Sequence, residues 1–103
     1  MFARVTMFDI DLIRIGREQA LDRFKKMILP EMQKQDGYAG AYALLTPEGQ
    51  GCILSLWASE EAVLKGEQSG YYDQQVAQFV SFYRSPPGRE RYEVVLVDGV
   101  GDR

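Results

Sequence analysis

The sequence predicts an α+β domain in which helices cover one face of a four-stranded antiparallel sheet. Apolar residues alternate with a period of two in four segments, and they recur at helical spacing in the segments between. Turn-forming glycine, proline and serine residues separate these segments. The resulting order of strand, helix, strand, strand, helix pair, strand is the βαββαβ pattern of a ferredoxin-like fold.

The first strand is predicted over residues 2–13, and an amphipathic helix follows it. This helix begins after Gly16, where apolar residues start to recur at helical spacing. Pro30 lies inside the helix, and its ring lacks a backbone N–H and crowds the preceding turn. We therefore expect a kink or a break near Leu29, and Gly37 is placed to end the helix.

The second and third strands form a predicted hairpin. The second covers residues 38–45, and strict alternation puts Tyr38 and Tyr42 on one face, beside small residues that leave space. The turn is "TPEGQG", residues 46–51, in which Pro and Gly stand at turn-compatible positions. The third strand covers residues 52–57.

The second half of the chain supplies the remaining helices and the last strand. Ser59 is predicted to cap a short helix that ends at Gly66, and Ser69 to cap another. The fourth strand is predicted over residues 92–97. Residues 98–103 form a frayed tail.

Composition limits the classes of function. The 103 residues, 46% of them hydrophobic, suffice for one domain, predicted over residues 1–97. A net charge of −3 without a basic stripe argues against a nucleic-acid partner and against an anionic membrane surface. No segment approaches the length of a membrane span. Cys52 is the single cysteine, so no intrachain disulfide exists, and we expect a cytoplasmic protein.

Two missing residue types exclude further mechanisms, because the sequence contains neither His nor Asn. Without His there is no imidazole metal ligand and no His-activated serine or cysteine nucleophile. We therefore expect no histidine-ligated metal site.

The predicted strands carry apolar residues on both faces, whereas the predicted helices can cover one. A second copy of the chain is the simplest way to bury the apolar residues of the other face. The sequence therefore predicts a homodimer.

Two stretches carry a resemblance to a known family. "ILPEMQKQDGYAGAYALL" and then "LSLWASEEAVLKGEQSGYYDQQV" resemble the antibiotic biosynthesis monooxygenase-like domains of the dimeric α/β-barrel superfamily. The resemblance covers about residues 3–97, and residues 37–62 are its most specific part. It implies a homodimeric α/β barrel in which each subunit has a pocket for a small-molecule ligand between sheet and helices. It also implies that the protein has no cofactor and no metal ion.

The resemblance also implies a chemistry. The family includes oxygenases that act on aromatic, quinol-like substrates without metal or flavin, and haem-degrading relatives. The oxygenases use a strand Asn four positions before a Trp, the Trp itself, and nearby Tyr and Arg side chains. Here Trp57 matches, but Ile53 stands at the Asn position, and haem degradation lacks its axial His and strand Asn.

These considerations select five candidate site residues. We expect Trp57 and Tyr42 to be catalytic, the first as a pocket wall and the second as a hydroxyl donor to an oxyanion. Tyr38, Tyr72 and Arg4 are expected to bind substrate. For each of them packing, or for Arg4 a surface ion pair, is the competing interpretation.

Three functions remain open on the sequence. The first is a cofactor-independent monooxygenase of a small aromatic or quinol-type molecule. The second is a non-catalytic small-ligand-binding dimer, and the third is a structural module of the same fold.

Overall fold

Four strands form one antiparallel sheet in the computed structural model, which describes residues 1–68 and 88–99. The strand order is β2-β3-β1-β4, and every neighbouring pair is antiparallel. This order confirms the predicted ferredoxin-like α+β fold. The strands are β1 (Phe2–Asp9), β2 (Tyr38–Leu45), β3 (Gln50–Trp57) and β4 (Gly88–Glu93).

The first helical segment is interrupted, as Pro30 led us to expect. It consists of α1 (Arg17–Arg23), a π-helical turn (Phe24–Ile28) and α2 (Leu29–Gln33). In the π turn the Leu29 N–H donates to the Phe24 carbonyl, five residues back. Pro30 then stands in the first turn of α2, where its missing N–H costs little.

The π turn also keeps one face of the segment on the sheet. The residues buried or half-buried on this side recur every four positions, and they are Ala20, Phe24, Ile28 and Met32. At 3.6 residues per turn each such step drifts by about 40°, or about 120° over three steps. One extra residue in the helix, which is what a π bulge inserts, turns the face back by about 100°.

Two strands differ from the prediction: β1 is shorter, and β4 lies earlier in the chain. β1 ends at Asp9, because the Asp11 carboxylate accepts the Ile13 N–H at 3.1 Å and turns the chain. β4 ends at Glu93, and the Val94 N–H still donates to the Met1 carbonyl at 2.9 Å. The prediction of a strand over residues 92–97 was therefore wrong for most of that range.

The third helix, α3 (Glu60–Gln68), confirms the predicted cap. Ser59 Oγ accepts the Ala62 N–H at 3.1 Å. The helix continues through Gly66, which was wrongly predicted to end it. The predicted cap at Ser69, the helix after it and most of the tail lie outside the described residues. No helix in the two described ranges is long and apolar enough to cross a membrane.

The core has two apolar clusters on the helix-covered side of the sheet. One surrounds Trp57 and Val63, and includes the buried side chains of Ile28, Met32 and Ala62. The other joins Ile10, Ile15 and Ala20 at the opposite end of the strands. The first cluster contains the candidate residue Trp57 and is therefore the centre of the candidate functional site.

Gly37 connects α2 to β2 in a conformation that a side chain would not tolerate. Its φ is +82°, and a Cβ added there would lie 2.5 Å from the Ala62 Cβ. We expect Gly37→Ala to lower the free energy of unfolding by about 2 kcal/mol or more. Urea unfolding measures this change. Gly16→Ala is the control, because an added Cβ there meets no atom closer than 3.7 Å; equal losses in both variants would contradict the explanation.

Candidate functional site

The helix-facing side of the sheet brings two short rows of residues together. Antiparallel register places Tyr38, Trp57 and Phe2 side by side on β2, β3 and β1. The next row is Ala41, Ser55 and Arg4. Directly opposed residues point to the same face, so both rows lie beneath the helices, around the Trp57 cluster.

A bulge in β2 changes the predicted arrangement of its tyrosines. The register slips between Tyr38 and Gly40, so that Tyr38 pairs with Trp57 and Gly40 pairs with the next residue, Leu56. Tyr38 therefore lies on the helix-facing side, and Tyr42, which is opposite Leu54, lies on the outer face. The prediction that the two tyrosines share one face was wrong, because strict alternation has no place for the extra residue.

Trp57 is the centre of the cluster and is 1% exposed. Its indole N–H donates to Ser55 Oγ at 2.9 Å, two residues back on the same strand face. The Tyr38 ring packs edge-on against it, with ring centroids 5.7 Å apart and planes at 78°. The indole is thus fixed both by a hydrogen bond and by an aromatic contact.

Arg4 is buried next to this pair, with 3% of its surface exposed. Its Nη2 donates to the Val63 carbonyl of α3 at 3.4 Å. In the part of the chain that the structure describes, three polar residues are buried, and all three lie on this face: Arg4, Thr6 and Ser55. Buried polar groups are costly unless they are paired. Their convergence makes this patch the chemically distinctive part of the sheet.

Burial also affects the Tyr38 phenol. Desolvation raises its pKa above the ordinary value of 10.0, because the anionic form loses water contacts. Tyr38 therefore stays protonated at neutral pH and is able to donate a hydrogen bond.

The five candidate residues fare differently. The structure brings Trp57, Tyr38 and Arg4 together in one cluster. Tyr42 lies on the outer face and is 44% exposed, so within this chain it cannot act together with Trp57. Tyr72 lies outside the described residues. Sequence reasoning missed Ser55, although its place two residues before Trp57, on the same strand face, was a usable signal.

A surface groove lies elsewhere, along α1 and the π turn. Its volume is about 410 Å³, and Arg14, Gln19 and Lys26 are among its lining residues. None of the four candidates that lie within the described residues lines it. Among the described residues no group of His, Cys, Asp and Glu could hold a metal ion.

Solved structures share this fold. A protein of unknown function from Nitrosomonas europaea is 20% identical, with a TM-score of 0.71 over 97% of this chain and 94% of its own. A "Putative antibiotic biosynthesis monooxygenase" from Bordetella bronchiseptica is 13% identical, with a TM-score of 0.71 over 92% and 97%. The chain therefore has the fold of these proteins.

A third structure with the same fold is the heme-degrader MhuD from Mycobacterium tuberculosis, with two hemes bound in its active site. It is 18% identical, with a TM-score of 0.66 over 96% of this chain and 100% of its own. No protein-family model and no curated protein matches the sequence.

The raised pKa of Tyr38 predicts how stability depends on pH. Below pH 10 the phenol is protonated in both the folded and the unfolded chain. As the pH rises above that value, the unfolded chain loses this proton first, so the stability falls until the folded phenol has also ionised. Urea unfolding should show a smaller alkaline loss in Tyr38→Phe than in the wild type. Tyr42→Phe is the control, and an equal effect there would contradict the assignment to Tyr38.

Proposed function

We propose that the protein is a cofactor-independent monooxygenase that acts on a small aromatic or quinol-type molecule. The observation that carries the proposal is the cluster of Trp57, Tyr38, Ser55 and Arg4 on the helix-facing side of the sheet. It combines aromatic walls with buried hydrogen-bond donors. The shared fold of the "Putative antibiotic biosynthesis monooxygenase" structures supports it.

The residues suggest how such a reaction would proceed. Trp57 and Tyr38 supply aromatic surface for a planar substrate. The Arg4 guanidinium stabilises the deprotonated, enolate-like substrate, whose electrons pass to oxygen. In the keto tautomer of such a substrate the ring carbon next to the carbonyl is a CH₂ group, and one oxygen atom of O₂ becomes a carbonyl oxygen on that carbon. The other oxygen atom leaves as water with the two hydrogens of that carbon, so the substrate is the sole reductant.

The residues of this chain cannot bind haem iron through an imidazole. The sequence has no His. Cys52, another residue type that binds haem iron, pairs with Met7 and Leu44 on the outer sheet face, away from Trp57. We therefore derive no step through haem.

A non-catalytic ligand-binding dimer is the second candidate function. The absence of His and the lack of a described carboxylate in the cluster favour it, because general acid–base catalysis commonly uses these groups. A thermal-shift screen distinguishes the two functions. A small molecule that stabilises the protein and is recovered unchanged under air supports binding without turnover.

The outer sheet face supports the proposal of a homodimer. It presents exposed apolar side chains in adjacent register, namely Met7, Tyr42, Leu44 and Tyr92. Contiguous apolar surface of this kind marks an interaction site. We propose that a second copy packs its own sheet against this face.

The oxygenase proposal predicts oxygen consumption. Incubation with a panel of hydroquinones should consume oxygen faster than the autoxidation blank. The double variant Trp57→Phe with Tyr38→Phe should lose at least about tenfold in rate, because it removes both the indole and the phenol hydroxyl. Tyr42→Phe is the matched control and should retain the rate. No excess over the blank with any hydroquinone, or full activity in the double variant, would contradict the proposal.

The dimer proposal predicts a mass of twice 11.7 kDa by sedimentation at micromolar concentration. Leu54→Arg should reduce the mass to that of one chain, because it places an unpaired charge in the middle of the apolar face. Gln33→Arg adds the same side chain on an exposed helix surface and should leave the dimer intact. A wild-type mass of 11.7 kDa would overturn the proposal.

A further inference from the structure

The hydrogen bonds of Ser55 leave one donor unassigned. A serine hydroxyl can accept hydrogen bonds and donate one. Ser55 Oγ accepts the Trp57 indole N–H at 2.9 Å, so its own hydrogen must point elsewhere. Among the described residues, no side-chain or backbone oxygen accepts that hydrogen.

Burial makes this unassigned donor significant. Ser55 is 2% exposed, so bulk water does not solvate the hydroxyl. A buried donor without an acceptor is destabilising, and native structures contain few of them. The hydroxyl also lies in the same row as Arg4, directly opposite it on the neighbouring strand, where Cβ atoms are about 5 Å apart.

We propose that Ser55 is a ligand-binding residue, whose hydroxyl donates a hydrogen bond to an oxygen atom of the ligand while it holds the Trp57 indole. This inference rests on the proposed function and names the group of the ligand that is recognised. The indole N–H is engaged by Ser55, so Trp57 contributes its ring surface to the ligand.

The chemistry of the row defines the kind of oxygen. The Ser55 hydroxyl still has its hydrogen to donate, and the Arg4 guanidinium carries donors and no acceptor atom. Both therefore favour an oxygen that accepts, and the neighbouring positive charge favours an anionic one. A phenolate or an enolate oxygen on an aromatic ring has both properties.

The experiment uses Trp57 as a built-in probe, because it is the single tryptophan of the chain. The protein labelled with ¹⁵N gives one indole N–H resonance, whose position responds to the hydrogen bond with Ser55. Ser55→Ala should move this resonance. If the alanine variant does not fold, Ser55→Thr and Ser55→Val replace it, because threonine and valine have the same shape and only threonine keeps the hydroxyl. The threonine variant should keep the wild-type position, and the valine variant should not.

Ligand binding is measured by titrating the same resonance with 4-nitrophenolate and with toluene, which keeps a ring but has no oxygen. Loss of the hydroxyl in Ser55→Ala or Ser55→Val should weaken binding of 4-nitrophenolate about tenfold and leave that of toluene unchanged. Ser55→Thr should retain the affinity. Thr46→Ala is the control, since it removes a hydroxyl that accepts the Gln50 N–H in the distant turn.

Three results would overturn the inference. An indole resonance that does not move in Ser55→Ala would refute the hydrogen bond to Trp57. Unchanged affinity for 4-nitrophenolate in both hydroxyl-deleted variants would refute the ligand contact, with the hydroxyl then bonded to water, and would leave the proposed function intact. Failure of the wild-type protein to bind either probe would remove the proposed function as well.

Discussion

The burial of Trp57 at the end of β3 is the constraint on which the rest of the structure depends. Its ring contacts helical residues above and sheet residues beside it. The chain that enters β2 must therefore pass close to α3 without a side chain in the way. Gly37 meets this requirement, and its carbonyl accepts the Ala58 N–H at 2.8 Å. The bulge that follows then turns Tyr38 toward the indole.

The irregular first helix satisfies the same constraint from the other side. Ile28 and Met32 must both reach the Trp57 cluster, while Ala20 packs in the second cluster at the opposite end of the strands. A regular helix with this four-residue spacing would rotate its apolar side away from the sheet. The π turn compensates for the rotation just before Pro30, where the hydrogen-bond ladder would be broken in any case. The π turn thus both keeps the apolar side chains on the sheet and accommodates the missing N–H of Pro30.

The fold was predictable because period-two and helical patterns depend on which residues are buried. The ends of the strands were not, since they depend on partners distant in sequence. Apolar residues continue beyond Glu93, over residues 94–97, but Glu93 already pairs with Phe2, close to the start of β1. The placement of Tyr38 and Tyr42 on one face was wrong for a related reason, because the register of β2 depends on its pairing with β3. The alternation of apolar and polar residues does not show where a bulge adds one residue. Gly40, with a φ of +143°, is nevertheless the kind of residue found at bulges.

The candidate site differs from the sequence-based expectation in where its polar group lies. The resemblance to the oxygenases assigns an amide to the position of Ile53, and the structure places Ile53, Ser55 and Trp57 on one strand face. The buried polar group therefore lies two residues, or about 7 Å, further along the strand. An amide can donate to a ligand and accept from it at once. A serine that accepts from the indole still has its own hydrogen to donate, and under the proposed function that hydrogen would go to a ligand oxygen that accepts.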